Sequence, residues 1–213
     1  MAENTQTHVL VSAIERAIGQ DDPYVEGLQA SCEELGFDAD LRLFEFHDVW
    51  FDHCVLRELH ARKASFYECT LTNCDLSGAD LREAYFARTR LVGCKLEGTQ
   101  LPQSFWRSSR LEDCMCRYAN FGEVTWEGTR LVRCDMRESF LSEMRLRAKT
   151  SFDECDLTRA DLFRTPLRGV DLSSCNIAGI SVSDTREELR GLVIGVEQAQ
   201  DLVGMLGVRM VDV

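Results

Sequence analysis

Apolar residues recur every five positions along most of this chain. From Leu41 the series runs Phe46, Phe51, Leu56, Ala61, Phe66, Leu71, Leu76, Leu81, Phe86, Leu91, Leu96, Leu101, Trp106 and Leu111, then Cys116, Phe121, Trp126, Leu131, Met136, Leu141 and Leu146. The residue two places before each of these centres is usually small or a thiol, as at Ala39, Cys54, Ala64, Cys69, Cys74, Ala79 and Ala84, and the other three positions are mostly polar. A period of five matches neither the 3.6 of a helix nor the 2 of a flat strand. Two inward and three outward residues in each five describe a backbone that runs extended briefly and then turns a corner.

A longer period sets the number of corners. Cys54, Cys74, Cys94, Cys114 and Cys134 recur every 20 residues, each two places before a centre. Phe46, Phe66, Phe86, Trp106 and Trp126 are centres with the same spacing. One coil therefore has four sides of five residues, and like residues stack on successive coils at about the 4.8 Å spacing of paired strands. The spacing predicts a thiol column inside one face and an aromatic column inside another.

After Leu146 the next centre is Phe152, a step of six, followed at fives by Leu157, Leu162, Leu167, Leu172, Ile177 and Val182. The thiols absorb the same extra residue, passing from Cys134 to Cys155 and then to Cys175. A local bulge near Lys149 that keeps every face in register explains both. From Ala39 to Asp184 the pattern predicts an all-β solenoid of about seven coils, a rod about 35 Å long at strand spacing.

Segments such as CDLSGADLREAYF and CDLTRADLFRTPLRGVDL resemble the A(D/N)LxX consensus of the pentapeptide-repeat family. That resemblance, which covers about two-thirds of the chain, implies a right-handed quadrilateral β-helix.

A solenoid needs its ends covered. Residues 1–38 do not fit the repeat. Val9, Leu10, Ala13, Ile14, Ala17 and Ile18 suggest one amphipathic helix, and Leu28, Cys32 and Leu35 a second after Pro23, so this segment is expected to be a helical N-terminal cap. In 185–213, Val196, Ala199, Leu202, Val203 and Leu206 fall at helical spacing before Gly207, and Val208 to Val213 suit a short strand. This tail is similar to that of the quinolone-resistance (Qnr-type) and MfpA-like members, a resemblance that implies a homodimer built through it. A monomeric lid is the alternative.

The formal charge of −12 is unevenly spread. Residues 1–38 hold eight acidic side chains against one basic, whereas residues 85–149 hold twelve basic against eight acidic. Arg90, Arg110 and Arg130 occupy one outward slot on successive coils, with Arg88, Arg107, Arg145, Arg147 and Lys149 on or beside the adjoining face. Stacked guanidinium groups repel unless anions lie between them. Glu112, Asp113 and their neighbours could supply these, as could a folded-back acidic N-terminal segment or an external anion, acidic protein or nucleic acid. Tyr67, Tyr85 and Phe105 share an outward face beside this stripe, and interfaces are enriched in Tyr, Phe and Arg. Cover by the N-terminal segment is the other explanation for them.

No catalytic constellation emerges. His53 and Cys54 are adjacent but point to opposite sides in the repeat, Cys114 and Cys116 lack the C-x2-C spacing of a zinc site, and no phosphate-binding, zincin or nucleophile-elbow motif is present. The expectation is a non-enzyme without metal or cofactor. No stretch approaches the ~20 apolar residues of a membrane span, and the polar start lacks the features of a signal peptide. A cytoplasmic location with reduced thiols is expected, and with it no membrane partner. The Qnr-type resemblance implies binding to DNA gyrase or topoisomerase IV, with quinolone protection by DNA mimicry. Two features differ from that picture: unbroken centres leave no room for projecting loops, and the middle of the rod is net basic. A rigid scaffold for another protein partner is the alternative, and direct nucleic-acid binding is not expected of so acidic a chain.

Overall fold

In the computed structural model, residues 9–36, 39–147 and 149–208 are described. They form a parallel β-solenoid with two flat sheets of seven strands each. The first sheet holds β1 (Tyr24–Glu26), β3 (Glu45–His47), β5 (Ser65–Tyr67), β7 (Tyr85–Ala87), β9 (Phe105–Arg107), β11 (Thr125–Glu127) and β13 (Arg145–Leu146). The second holds β2 (Gln29–Ser31), β4 (Trp50–Asp52), β6 (Thr70–Thr72), β8 (Arg90–Val92), β10 (Arg110–Glu112), β12 (Arg130–Val132) and β14 (Ser151–Asp153). Single parallel bridges such as His60 to Asp80 and Asp75 to Lys95 build the other two sides of the coil. Centres stack on centres throughout, as in Phe46–Phe66 and Leu111–Leu131.

Three sequence features make the corners. Each has one residue in the left-handed region, such as Asp48, His53, Glu58 and Lys63 at φ of 50–61°. That conformation costs about 1–2 kcal/mol for a residue with a Cβ, an expense that the inter-coil hydrogen bonds offset. On the two bridge sides, the Asp or Asn before the centre accepts the amide two residues on, as for Arg42 on Asp40, Ser77 on Asp75, Arg82 on Asp80 and Gly122 on Asn120, at 3.0–3.2 Å. This side-chain mimic of a turn is the physical content of the repeated Asp and Asn. Thirdly, the small inward residue donates to a carbonyl of the coil below: Thr89 to Phe66 and Thr99 to Leu76 at 2.8 Å, Cys74 to Phe51 at 3.4 Å and Cys94 to Leu71 at 3.3 Å.

All seven ladder thiols, from Cys54 to Cys175, are buried and none is in a disulfide. Burial also pushes the neighbouring Cys69 thiol up to about 12. The aromatic column forms over Phe46, Phe66, Phe86 and Trp106, with ring centres 5.2, 5.0 and 3.8 Å apart. Trp126 is buried in the same column but turns its ring at 65° to Phe121 and 59° to Phe152. The extra residue is absorbed between β13 and β14, and Leu131 still pairs with Phe152.

The N-terminus departs from expectation. Helix α1 (Val9–Gly19) forms and buries Leu10, Ile14 and Ala17 over β1 and β2. No second helix follows: the segment of Leu28, Cys32 and Leu35 contains β2 and the start of the next side. Its five-residue period was concealed by weak centres, since Val25, Ala30 and Leu35 are the buried positions. The solenoid thus begins near Tyr24, and six turns separate the seven strands of the first sheet, slightly different from the count expected over 39–184. The buried Glu33 carboxylate accepts the Leu10 amide at 2.9 Å and the Val11 amide at 3.2 Å, closing the helix start onto the coil.

At the other end, helix α2 (Ala199–Val203) is only five residues long and continues into a 3-10 turn over Gly204–Leu206. Leu189, Leu192, Ile194, Leu202 and Met205 pack on the core, while Val196 is 91 % exposed. The Leu206 side chain and the expected strand beyond Val208 lie outside the described residues. Gln198 donates to the Leu172 carbonyl at 2.8 Å and accepts the Gly195 amide at 2.6 Å, covering open backbone of the last coil. Buried Glu188 accepts from the Arg164 amide and from Ser183. Burial opposes its ionisation, but these donors hold its carboxyl below the ordinary range.

Candidate interaction surface

A narrow coil filled by its own side chains presents only its outside, and the first sheet carries a continuous outward stack of rings. Tyr24 and His47 lie 4.9 Å apart between ring centres, His47 and Tyr67 4.4 Å, Tyr67 and Tyr85 5.4 Å, and Tyr85 and Phe105 5.7 Å. The parallel register sets His47 on Tyr67 and Tyr85 on Phe105 in like slots about 4.8 Å apart, within the spacing of aromatic pairs, and diagonal contacts Tyr24–His47 and Tyr67–Tyr85 join them. Each contact contributes roughly 0.2–1 kcal/mol. The Arg147 guanidinium closes the stack 5.8 Å from the Phe105 centroid. Tyr67, Tyr85 and Phe105 were legible in the sequence. Tyr24 and His47 were not, because Tyr24 falls in the segment read as helical and an imidazole does not stand out in a search for exposed apolar rings.

Arg90, Arg110 and Arg130 follow one another in register on the adjoining sheet. Glu112 sits among them, 3.0 Å from Arg110, 2.8 Å from Arg133 and 4.0 Å from Arg90. Arg133 first, and Arg110 with it, hold the Glu112 carboxyl below its ordinary range. Glu127 similarly lies 3.7 Å from Arg107 and 3.2 Å from Arg147, and Arg88 pairs with Glu68 at 2.5 Å. Interleaved carboxylates therefore answer part of the arginine stripe. The described part of the acidic N-terminal segment does not, since α1 packs on β1 and β2. Arg130, Arg145 and Lys149 have no ion pair among the described residues. The structure thus brings Tyr67, Tyr85, Phe105 and Arg107 together on one face and Arg90, Arg110 and Arg130 on the next, meeting along a single edge. Trp50, exposed on the second sheet, was missed; only its outward slot signalled it.

Nothing inside competes as a site. His53 pairs with Asp52 at 2.9 Å on the surface, whereas the Cys54 thiol is buried against the Ala30 carbonyl. The described depressions, such as that lined by Asp40, Arg42, Leu43, Arg62 and Lys63, are open surface grooves. Among the described residues no group of His, Cys, Asp and Glu is placed to hold a metal ion, and no helix is long and apolar enough to cross a membrane.

A model of the pentapeptide repeat region matches residues 44–121 and 64–141, and a model of eight pentapeptide repeats matches 148–179. The chain belongs to the pentapeptide-repeat family. Its fold is similar to that of QnrB1, a plasmid-mediated fluoroquinolone resistance protein, at 14% identity over 87% of this chain and 100% of that one, with a TM-score of 0.35. HetL, a pentapeptide-repeat protein involved in heterocyst differentiation regulation from Nostoc sp. strain PCC 7120, matches at 20% identity over 85% of this chain and 95% of its own, with a TM-score of 0.34. A pentapeptide-repeat protein of the Arabidopsis thaliana thylakoid lumen matches at 20% identity over 68% and 86%, with a TM-score of 0.21. No curated protein matches the sequence. The family has its basis in the sustained repeat and the family models, and the structural matches concern the fold alone.

Proposed function

We propose that this protein is a non-enzymatic scaffold that binds a macromolecular protein partner along the edge where the ring stack meets the arginine stripe. One observation carries the reading: a ring stack on one sheet and a guanidinium row on the next lie on faces that share a corner, with Arg147 5.8 Å from the Phe105 centroid. Such side chains supply most of the energy in protein interfaces. Tyr85 and Phe105 are its anchors, and Arg107, Arg110 and Arg130 its charged flank. Homodimerisation is assigned to the C-terminal end, where Val196 and Val208 are exposed beside packed Leu202. A type II topoisomerase is the specific partner that the Qnr-type resemblance suggests. DNA mimicry would use a continuous acidic stripe, whereas this edge is cationic, so a gyrase interaction here would be of another kind. Supercoiling assays with purified gyrase, with and without a fluoroquinolone, test that partner directly.

The general reading is tested by quantitative co-purification from the source cells. A Tyr85→Ala/Phe105→Ala variant is expected to lose a partner that wild type retains. Phe140→Ala/Phe163→Ala, which removes exposed rings from another side, is expected to keep it. Equal retention or equal loss in the two variants would contradict the proposal.

A further inference from the structure

The cationic edge is bounded at one end by carboxylates, which limits what can lie on it. Along the corner between the two sheets, the residues at successive levels are Asp48, Glu68, Arg88, Ser108 and Gly128, and Lys149 follows after the extra residue. Beside them on the second sheet run Arg90, Arg110, Arg130 and Ser151, while Asp153 lies on the far side of that sheet in register with Val132 and Glu154 at the next corner. The cationic stretch from Arg88 to Lys149 is thus preceded along the corner by Asp48 and Glu68. It spans three inter-coil steps, roughly 15 Å.

Within it the carboxylates are too few for the cations. Glu112 is shared by Arg90, Arg110 and Arg133, and Glu127 by Arg107 and Arg147. Arg130, Arg145 and Lys149 are left without a carboxylate among the described residues. Ser108 and Gly128 add almost no bulk at the corner itself, so these long side chains stand around a low saddle. Exposed cations without partners keep their full affinity for an external anion, since no internal ion pair must be given up.

Resting on the scaffold reading above, we infer that the partner presents a short acidic polypeptide segment to this saddle. An extended chain covers ~15 Å with about four to five residues. Its side chains alternate in direction, so one set places carboxylates at Arg130, Arg145 and Lys149. The other set reaches Tyr85 and Phe105 and is apolar. A nucleic acid fits less well. Its phosphates repeat every 3.4 Å along each strand without limit, and a strand running along the edge meets Asp48 and Glu68 at one end.

The test is a selection of displayed random peptides of about twelve residues on the immobilised full chain. An Arg130→Glu/Arg145→Glu variant and a Lys95→Glu control, altered on another side, are selected in parallel, and thermal melting shows whether each variant is folded. The expected result is enrichment of peptides combining several Asp or Glu with an aromatic or aliphatic residue, with binding weakened about tenfold or more by the double reversal and unchanged in the control. Enriched peptides without acidic character, no enrichment, or equal binding by the double variant would overturn the inference. So would tighter binding of single-stranded or duplex DNA oligonucleotides than of any selected peptide. A partner that depends on Tyr85 and Phe105 but not on Arg130 and Arg145 would leave the scaffold reading standing and this inference refuted.

Discussion

Trp106 and Trp126 occupy equivalent buried positions one coil apart, yet their indoles differ in one respect. The Trp106 Nε1–H donates to the Ser104 hydroxyl at 3.0 Å, while Trp126 has Val124 in that slot and its Nε1 has no hydrogen-bond partner. Replacing Ser104 by Ala leaves a second buried indole unpaired and is expected to cost about 1–3 kcal/mol, measured by chemical denaturation. The carboxylates of the corners make a prediction of the opposite kind, in pH. Arg42 holds Asp40, Arg82 holds Asp80 and Arg137 holds Asp135 below the ordinary 3.8. Because the folded-state values are depressed, their contribution is fully present above about pH 5 and is lost as pH falls below 3.8 through the folded values. A thermal melt series from neutral to strongly acidic pH is therefore expected to stay level and then fall only in that acid window. Much of this scale was legible in the sequence: the thiols, the small inward residues and the Asp and Asn slots all followed from position in the five. The tilt of Trp126 was not, since it depends on which neighbours fill the space around a ring and not on its slot.

At the scale of elements, the sequence showed where the repeat is strong and lost it where the centres are small. Val25, Ala30 and Leu35 bury as centres, but they are weak ones, and Leu28, Cys32 and Leu35 fall at helical spacing across them. A segment of three weak centres carries little periodic signal, and only stacking on β3 and β4 decides its structure. Helix α1 was visible because six apolar residues repeat at helical spacing, although Val9 and Ile18 prove exposed. Its docking through Glu33 could not be read, because the contact links residues 23 apart in sequence. Glu33→Ala removes the acceptor for two helix-start amides and leaves a void. It is expected to destabilise the N-terminal end by roughly 1–3 kcal/mol, with faster amide hydrogen exchange at Leu10 and Val11 than in the central coils. Unchanged exchange there would show that α1 is held by its apolar face alone.

Over the whole molecule, the two sheets divide the labour with the two bridge sides. Asp and Asn make the bridge-side corners, which frees the outward slots of the sheets for Tyr, Phe and Arg. The charge map divides along the rod instead, acidic over the first coils and cationic from Arg88 to Lys149. The sequence supplied the stripe and three of the rings; the edge they share emerged from the register of the two sheets. The account's central claim is that this edge, and not the other sides, receives the partner. Photo-cross-linking amino acids placed singly at exposed Ser108 on the corner between the sheets and at Val132 on the second sheet, and at Gln100 and Ser77 on the bridge sides, test it most directly in living cells. The account predicts one discrete cross-linked species from Ser108 and Val132 and none from Gln100 and Ser77. The same species from all four sides, or from the bridge sides alone, would contradict it.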